Sequence, residues 1–251
     1  MTELTRREFS AATLGSLLSY SLLQTLFSRD AFADEIRPEA IKWLANVNSL
    51  AKDVKSQKLP QVEWQKQVEA LFQMVDAADA KKLLNFDALT KNLKIVDNGA
   101  NSLRPTFPKV EGLPTDYVFG RQVFAMKKGR SVVPHGHNNM ATAFLILQGD
   151  LRGRLFDRIK DEDSHIHIKP TIDRTFKVGE ASSISDDKDN VHWFQALTDT
   201  AFIFNIHVLG VRPSKGDSTG RVYLDPNGEK LSDGVIRAKR LDHTEAHRLY
   251  G

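Results

Sequence analysis

Between Tyr117 and Leu209 the chain breaks into short runs of strand-like composition, each closed by a turn signal, and this rhythm limits the available folds more than any other feature. The runs are Tyr117 to Met126, Ser131 to His137, Ala141 to Gln148, Leu151 to Arg158, His165 to Ile168, Thr171 to Val178, Ala181 to Ile184, Val191 to Ala196 and Ala201 to Leu209. Nine short strands without a repeat of fixed period predict an antiparallel barrel or sandwich. From Glu35 to about Val96, apolar residues instead recur at helical spacing, as in Ile41, Leu44, Val47, Leu50 and Val54, and that stretch contains no glycine. Pro60 precedes a second amphipathic stretch with Trp64, Val68, Leu71 and Phe72, and a third short one follows around Leu83 and Phe86. The expectation is a mainly β protein. A helical segment, 34–112, packs on a barrel at 113–212, and an extension at 213–251 carries two edge strands at Val222-Tyr223-Leu224 and Val235-Ile236.

Composition narrows the chemistry. The 251 residues include no cysteine, which removes disulfides, iron–sulfur clusters, zinc ribbons and thiol nucleophiles, so a metal must sit on His, Asp or Glu. Lys plus Arg number 35 against 32 Asp plus Glu, for a net charge of +3 without a dense basic cluster, and no nucleic-acid partner is expected.

The histidines carry the functional reading. His135 and His137 stand two apart, so one strand presents both imidazoles on the same face. His192, at the start of a later strand, is the natural third ligand of a facial set that leaves coordination positions open. Two other pairs have blander explanations. His165 and His167 follow Asp161-Glu162-Asp163 and belong to a solvated hairpin. His243 and His247 are four apart, but Thr244 follows the first where a metalloprotease needs Glu, so they belong to a surface helix or flexible tail. Trp193 and Phe194 either wall the pocket or face the core.

The spacing Gly129, His135, His137, Gly149, with Gly179 and His192 behind it, resembles the cupin pattern, and the resemblance implies a double-stranded β-helix. Thr142 stands where the cupin glutamate would fall, which leaves three neutral ligands and resembles the three-histidine thiol dioxygenases. Over Tyr117 to Pro213 the chain is similar to the cysteine dioxygenase branch. His137 and Gly149 differ by twelve positions and His192 and His207 by fifteen, as in that family.

The resemblance implies metal ligation by His135, His137 and His192 and a role beside the reacting atoms for His207, with Asn205 orienting it. The candidate substrate contacts are Thr142, Trp193 beside the third ligand, and Arg121, on a strand that alternates Arg121, Val123 and Ala125, since no arginine aligns with the family's carboxylate-holding one. Simple burial of His207 against a backbone partner is the alternative. The family's tyrosine is replaced by Leu209 and its crosslinking cysteine by Thr142, so a small thiol or similar bidentate ligand is expected in place of free cysteine. Fe(II) is the expected metal, with Mn, Ni or Zn as alternatives, and O2 the co-substrate. A non-oxidative metal cupin and a non-catalytic binding module are the competing functions, since the fold hosts both.

The first residues form an address. Thr5-Arg6-Arg7-Glu8-Phe9-Ser10, a weakly apolar run from Ala11 to Phe27, Arg29, and the triplet Ala31-Phe32-Ala33 resemble a twin-arginine export signal. Cleavage after Ala33 leaves 218 residues. The translocation machinery is the implied partner, the periplasm the implied location, and no stable membrane anchor is expected after cleavage.

Overall fold

Alternation along the strands sorts the side chains onto two facing sheets. A computed structural model of the protein describes residues 36–109, 111–212 and 219–251, so the expected export signal at 1–33 lies outside the described residues. The first sheet has the order β1 (Asn101–Leu103), β2 (Gly120–Lys127), β9 (Thr200–Leu209), β4 (Met140–Gln148), β7 (Ala181–Ile184). The second begins β3 (Ser131–Asn138), β8 (Val191–Ala196), β5 (Leu151–Asp161), β6 (His165–Phe176). All pairings are antiparallel, and the eight strands β2 to β9, taken in this order, form a double-stranded β-helix. Between the sheets lie Phe124, Met126, Phe144, Ile146, Phe194 and Ile203.

The runs His165 to Ile168 and Thr171 to Val178, separate in the sequence reading, are one strand, β6. Pro170 cannot donate to the ladder and sits opposite Phe156, beside an extra β6 residue, Thr171, that the register skips. β1, inside the stretch expected to be helical, adds an edge to the first sheet.

Helices α1 (Pro38–Lys55), α2 (Gln61–Met74), α3 (Ala77–Leu83) and α4 (Phe86–Thr90) supply the apolar face seen in the sequence. Phe72 stacks on Phe204 at 6.3 Å and Phe86 meets Phe202 edge-on at 5.0 Å, so even-numbered β9 residues from this part of the strand face the helices. A polar row fixes the register of α2. Gln65 donates to the Ser183 carbonyl and accepts from the Ser185 hydroxyl, while Glu69 accepts from the Ser183 hydroxyl. Burial raises the Glu69 pKa above the usual carboxylate range.

The two C-terminal strands expected as edges are interior. β10 (Gly220–Leu224) pairs with both β3 and β12 (Ile236–Leu241), β12 pairs with β6, and β11 (Glu229–Lys230) borders β12. The strands β3, β8, β5, β6, β12 and β10 thus close a ring around Phe156, Ile166, Ile168, Val191, Leu224 and Ala238. This second small core buries β3 and β8 on both faces, which is why both read as almost unbroken burial. It also pairs one arm of the hairpin expected to be solvated, whose turn at Asp163 and Ser164 stays exposed. His165 and His167 face Lys239 and Arg237 in register, and His167 contacts Glu162 at 3.0 Å. The last eight-residue helix, α5 (His243–Tyr250), begins with Asp242 capping the Glu245 amide and lies against β3 and β10.

Candidate metal centre

His135 and His192 are direct cross-strand partners on β3 and β8, with ring centroids 4.2 Å apart. His137 completes the group at 5.0 Å from His135 and 5.1 Å from His192. One ligand atom from each of the three lies within 4.8 Å of the others, and among the described residues no carboxylate joins them. All three are buried, at 2%, 3% and 1% exposure. A bulge between Val132 and His135 aims the pair inward, and the Val133 carbonyl accepts from His135 Nδ1 at 2.7 Å, leaving Nε2 with its lone pair.

Burial, followed by the charge of Arg221, pushes the His135 pKa down to about 3. Burial likewise drives His137 and His192 well below the ordinary histidine value, with the neighbouring imidazoles and Arg221 adding to the effect. Neutral imidazole is the form that ligates metals. A buried polar atom without a partner costs about 1–3 kcal/mol. Among the described residues His137 carries two such nitrogens and His192 one, so the three rings fit a bound cation far better than they fit a packed core.

The first sheet faces this group with Thr142, Asn205 and His207. Thr142 pairs with His207, and Phe144 with Asn205, on the inner face that also carries Ile203. Thr142 Oγ1 and Asn205 Oδ1 are buried without hydrogen bonds among the described residues. His207 is half-buried, its pKa lowered by burial and by Arg221, and its charge is felt by His137. Its ring occupies the place of a side chain at Gly120, the opposite residue on β2, where a Cβ would run into the imidazole. Gly120→Ala should turn the His207 ring at a cost of about 1–3 kcal/mol. A displaced imidazole resonance with little loss of cooperativity in a urea melt would be the signature, and an unmoved resonance would refute it.

Two assigned substrate contacts belong elsewhere. Arg121 lies on the helix-facing side of β2, one residue out of phase with Gln122 and Phe124; its Nε donates to the Pro105 carbonyl and its guanidinium stacks over Phe107 at 4.7 Å. Trp193 is out of phase with His192 and Phe194 in the same way. It packs under Arg154 at 4.2 Å and against Tyr250 at 5.0 Å, on the outer face that the C-terminal extension covers. Phe194 does face inward and sits 5.1 Å from Phe144.

Three residues escaped the sequence reading. Asn190 bridges His137, accepting from its amide at 3.2 Å and donating to its carbonyl at 2.9 Å, and so holds that ligand where the β3–β8 ladder ends. Tyr223 pairs with His135 across β10 and β3, with rings 5.9 Å apart. Arg221, two residues earlier on the same face, pairs with His137 and lies 6.0 Å from the Phe124 ring. It is exposed and has no carboxylate partner among the described residues. The alternation Arg221, Tyr223 was available in the sequence; what was not available was the neighbour of that strand.

His137 also borders an open cleft of about 450 Å³ with Arg158, Asp161, Asp186 and Arg212. Arg158 is tied to Asp161, and Arg212 to Asp186 and Asp187, so the cleft holds no uncommitted arginine.

No family model and no curated protein matches the sequence. Among solved structures, the chain is similar to an uncharacterized conserved protein with a double-stranded beta-helix domain from Klebsiella pneumoniae (10% identity, TM-score 0.35, 53% of this chain and 85% of that chain). It is also similar to the protein TT1209 from Thermus thermophilus (10%, 0.34, 48% and 93%) and to an 11S globulin from Wrightia tinctoria (13%, 0.35, 53% and 29%). The match spans 23% of the procruciferin chain from Brassica napus, another globulin. The double-stranded β-helix is shown by the strand order itself.

Proposed function

We propose that this chain is a metal-dependent cupin enzyme, a non-haem Fe(II) dioxygenase that uses O2 on a small thiol or similar bidentate substrate. The observation that carries the reading is the convergence of three buried, neutral imidazoles without a carboxylate. Bound by them, Fe(II) would supply Lewis acidity towards a thiolate and redox chemistry towards O2 at coordination positions the protein leaves open. Asn190 and the Val133 carbonyl orient two of the ligands. His207, Asn205 and Thr142 offer hydrogen bonds from the opposite sheet, and the apolar layer of Phe124, Phe144 and Phe194 limits access of water.

Arg221 selects by charge. Its exposed guanidinium beside the histidines favours a substrate that carries an anion and disfavours a cationic one. Arg221→Gln is expected to raise KM for mercaptoacetate about 10- to 100-fold and to leave mercaptoethanol nearly unaffected; equal effects on both would remove Arg221 from the site. Export through the twin-arginine machinery to the periplasm accompanies this reading, because that route carries proteins already folded around a cofactor. Among the described residues no helix is long and apolar enough to cross a membrane.

The deciding experiment is metal analysis of protein purified from the periplasm, followed by oxygen uptake with a panel of small thiols. One iron per chain is expected, together with uptake that His135→Ala abolishes. Protein that holds zinc or manganese and oxidises no thiol would sink the dioxygenase reading and leave a non-oxidative metal cupin.

A further inference from the structure

The second histidine pair gains a meaning from its position. We infer that His243 and His247 form a second, solvent-facing site for a divalent transition-metal ion, one phenol ring away from the inner histidines. The two lie four residues apart on α5, the spacing at which a helix presents two imidazoles to one ion, and their rings are 4.4 Å apart at 33°. Neither ring hydrogen-bonds to protein among the described residues, so their ligating nitrogens are not spent on the fold.

Their surroundings hold the pair in place. Ala246, fully buried, anchors the helix between them, and Asp242 caps it. The His247 ring lies over Gly99, where a Cβ would come within 2.7 Å of Nδ1. Nδ1 and Cε1 are the ring atoms nearest that position, so Nε2 is the nitrogen turned away towards an ion. His243 meets the Tyr223 ring edge-on at 5.4 Å, and Tyr223 in turn lies 5.9 Å from His135. Glu245 reaches instead to Lys239 at 3.5 Å, so the site is a two-imidazole chelate completed by water. Such a set follows the usual order of divalent affinities and binds Cu(II) most strongly. The site is independent of the iron chemistry proposed above.

Calorimetric titration of the metal-free full chain with Cu(II) tests it. Wild-type protein is expected to take two equivalents and His243→Gln/His247→Gln one; the inner-site variant His135→Ala/His192→Ala should keep one, which the four-fold variant loses. A His243→Gln/His247→Gln protein that takes as many equivalents as wild type overturns the inference, whatever the inner histidines bind. The first two titrations decide the matter even if the inner-site variant does not fold.

Discussion

Anaerobic Fe(II), added to metal-free protein at about 100 times its dissociation constant, is expected to stabilise the fold by about 2.7 kcal/mol. For a chain of this length that corresponds to a rise in melting temperature of roughly 5–10 °C. His192→Ala should erase the rise, because it removes one of three ligands held by two neighbouring strands of a single sheet. The sharper test is His137→Leu. Without an ion, both His137 nitrogens are buried and unsatisfied, so replacing the ring by an apolar side chain is expected to leave the metal-free protein as stable as wild type or more so, by up to about 3 kcal/mol, while abolishing the response to metal. Differential scanning calorimetry with and without Fe(II) or Co(II) reads both effects. A wild type that does not respond to either ion, together with a His137→Leu variant that melts far below it, would mean that the three rings are structural and that no ion belongs among them.

Acid should weaken the metal-free protein well before its carboxylates titrate. His135 has a folded-state pKa near 3 and an unfolded value near 6.5, so between those values the unfolded chain binds the extra proton. Stability from this group is therefore fully present above about pH 6.5 and is lost as pH falls towards 3. At pH 5 the loss from His135 alone amounts to about 2 kcal/mol. His137 and His192, depressed by burial in the same direction, add to it. Urea melts at pH 7, 6 and 5 measure the slope, and His137→Leu should flatten it in part. A profile flat over that range would show that the rings are not held neutral in the fold. Metal steepens the dependence, since protons and the ion compete for the same nitrogens.

Much of this architecture is legible in local pattern. Eight barrel strands follow from runs such as Ser131 to His137 and Val191 to Ala196, because alternation and turn residues act within a few positions of one another. The pairing of His135 with His137 follows from the period of a strand, and the amphipathic stripe through Val47 and Val54 is an α-helix for the same kind of reason. Misreadings arise where a distant segment sets the environment. For Trp193 the signal was local, because an inward His192 turns its strand neighbour outward, towards Tyr250. Nothing within ten residues of Arg121 says which face of its strand looks inward, and the packing of α2 on the first sheet decides that. The expected edge strands likewise became interior members of a ring because β10 finds β3 and β12 on its two sides.

Sequence alone therefore determined the class of fold, the two-apart imidazoles and the absence of sulfur ligands, since these depend on residue type and on periods of two to four positions. Only tertiary structure brought His192 opposite His135, turned the bulge at Val132 so that the rings converge, and carried Arg221 and Tyr223 to the same site from more than eighty residues beyond His137. The physical reason is that ligation and charge act through space over a few ångströms, whereas which strands become neighbours is settled by burying both faces of β3 and β8 at once.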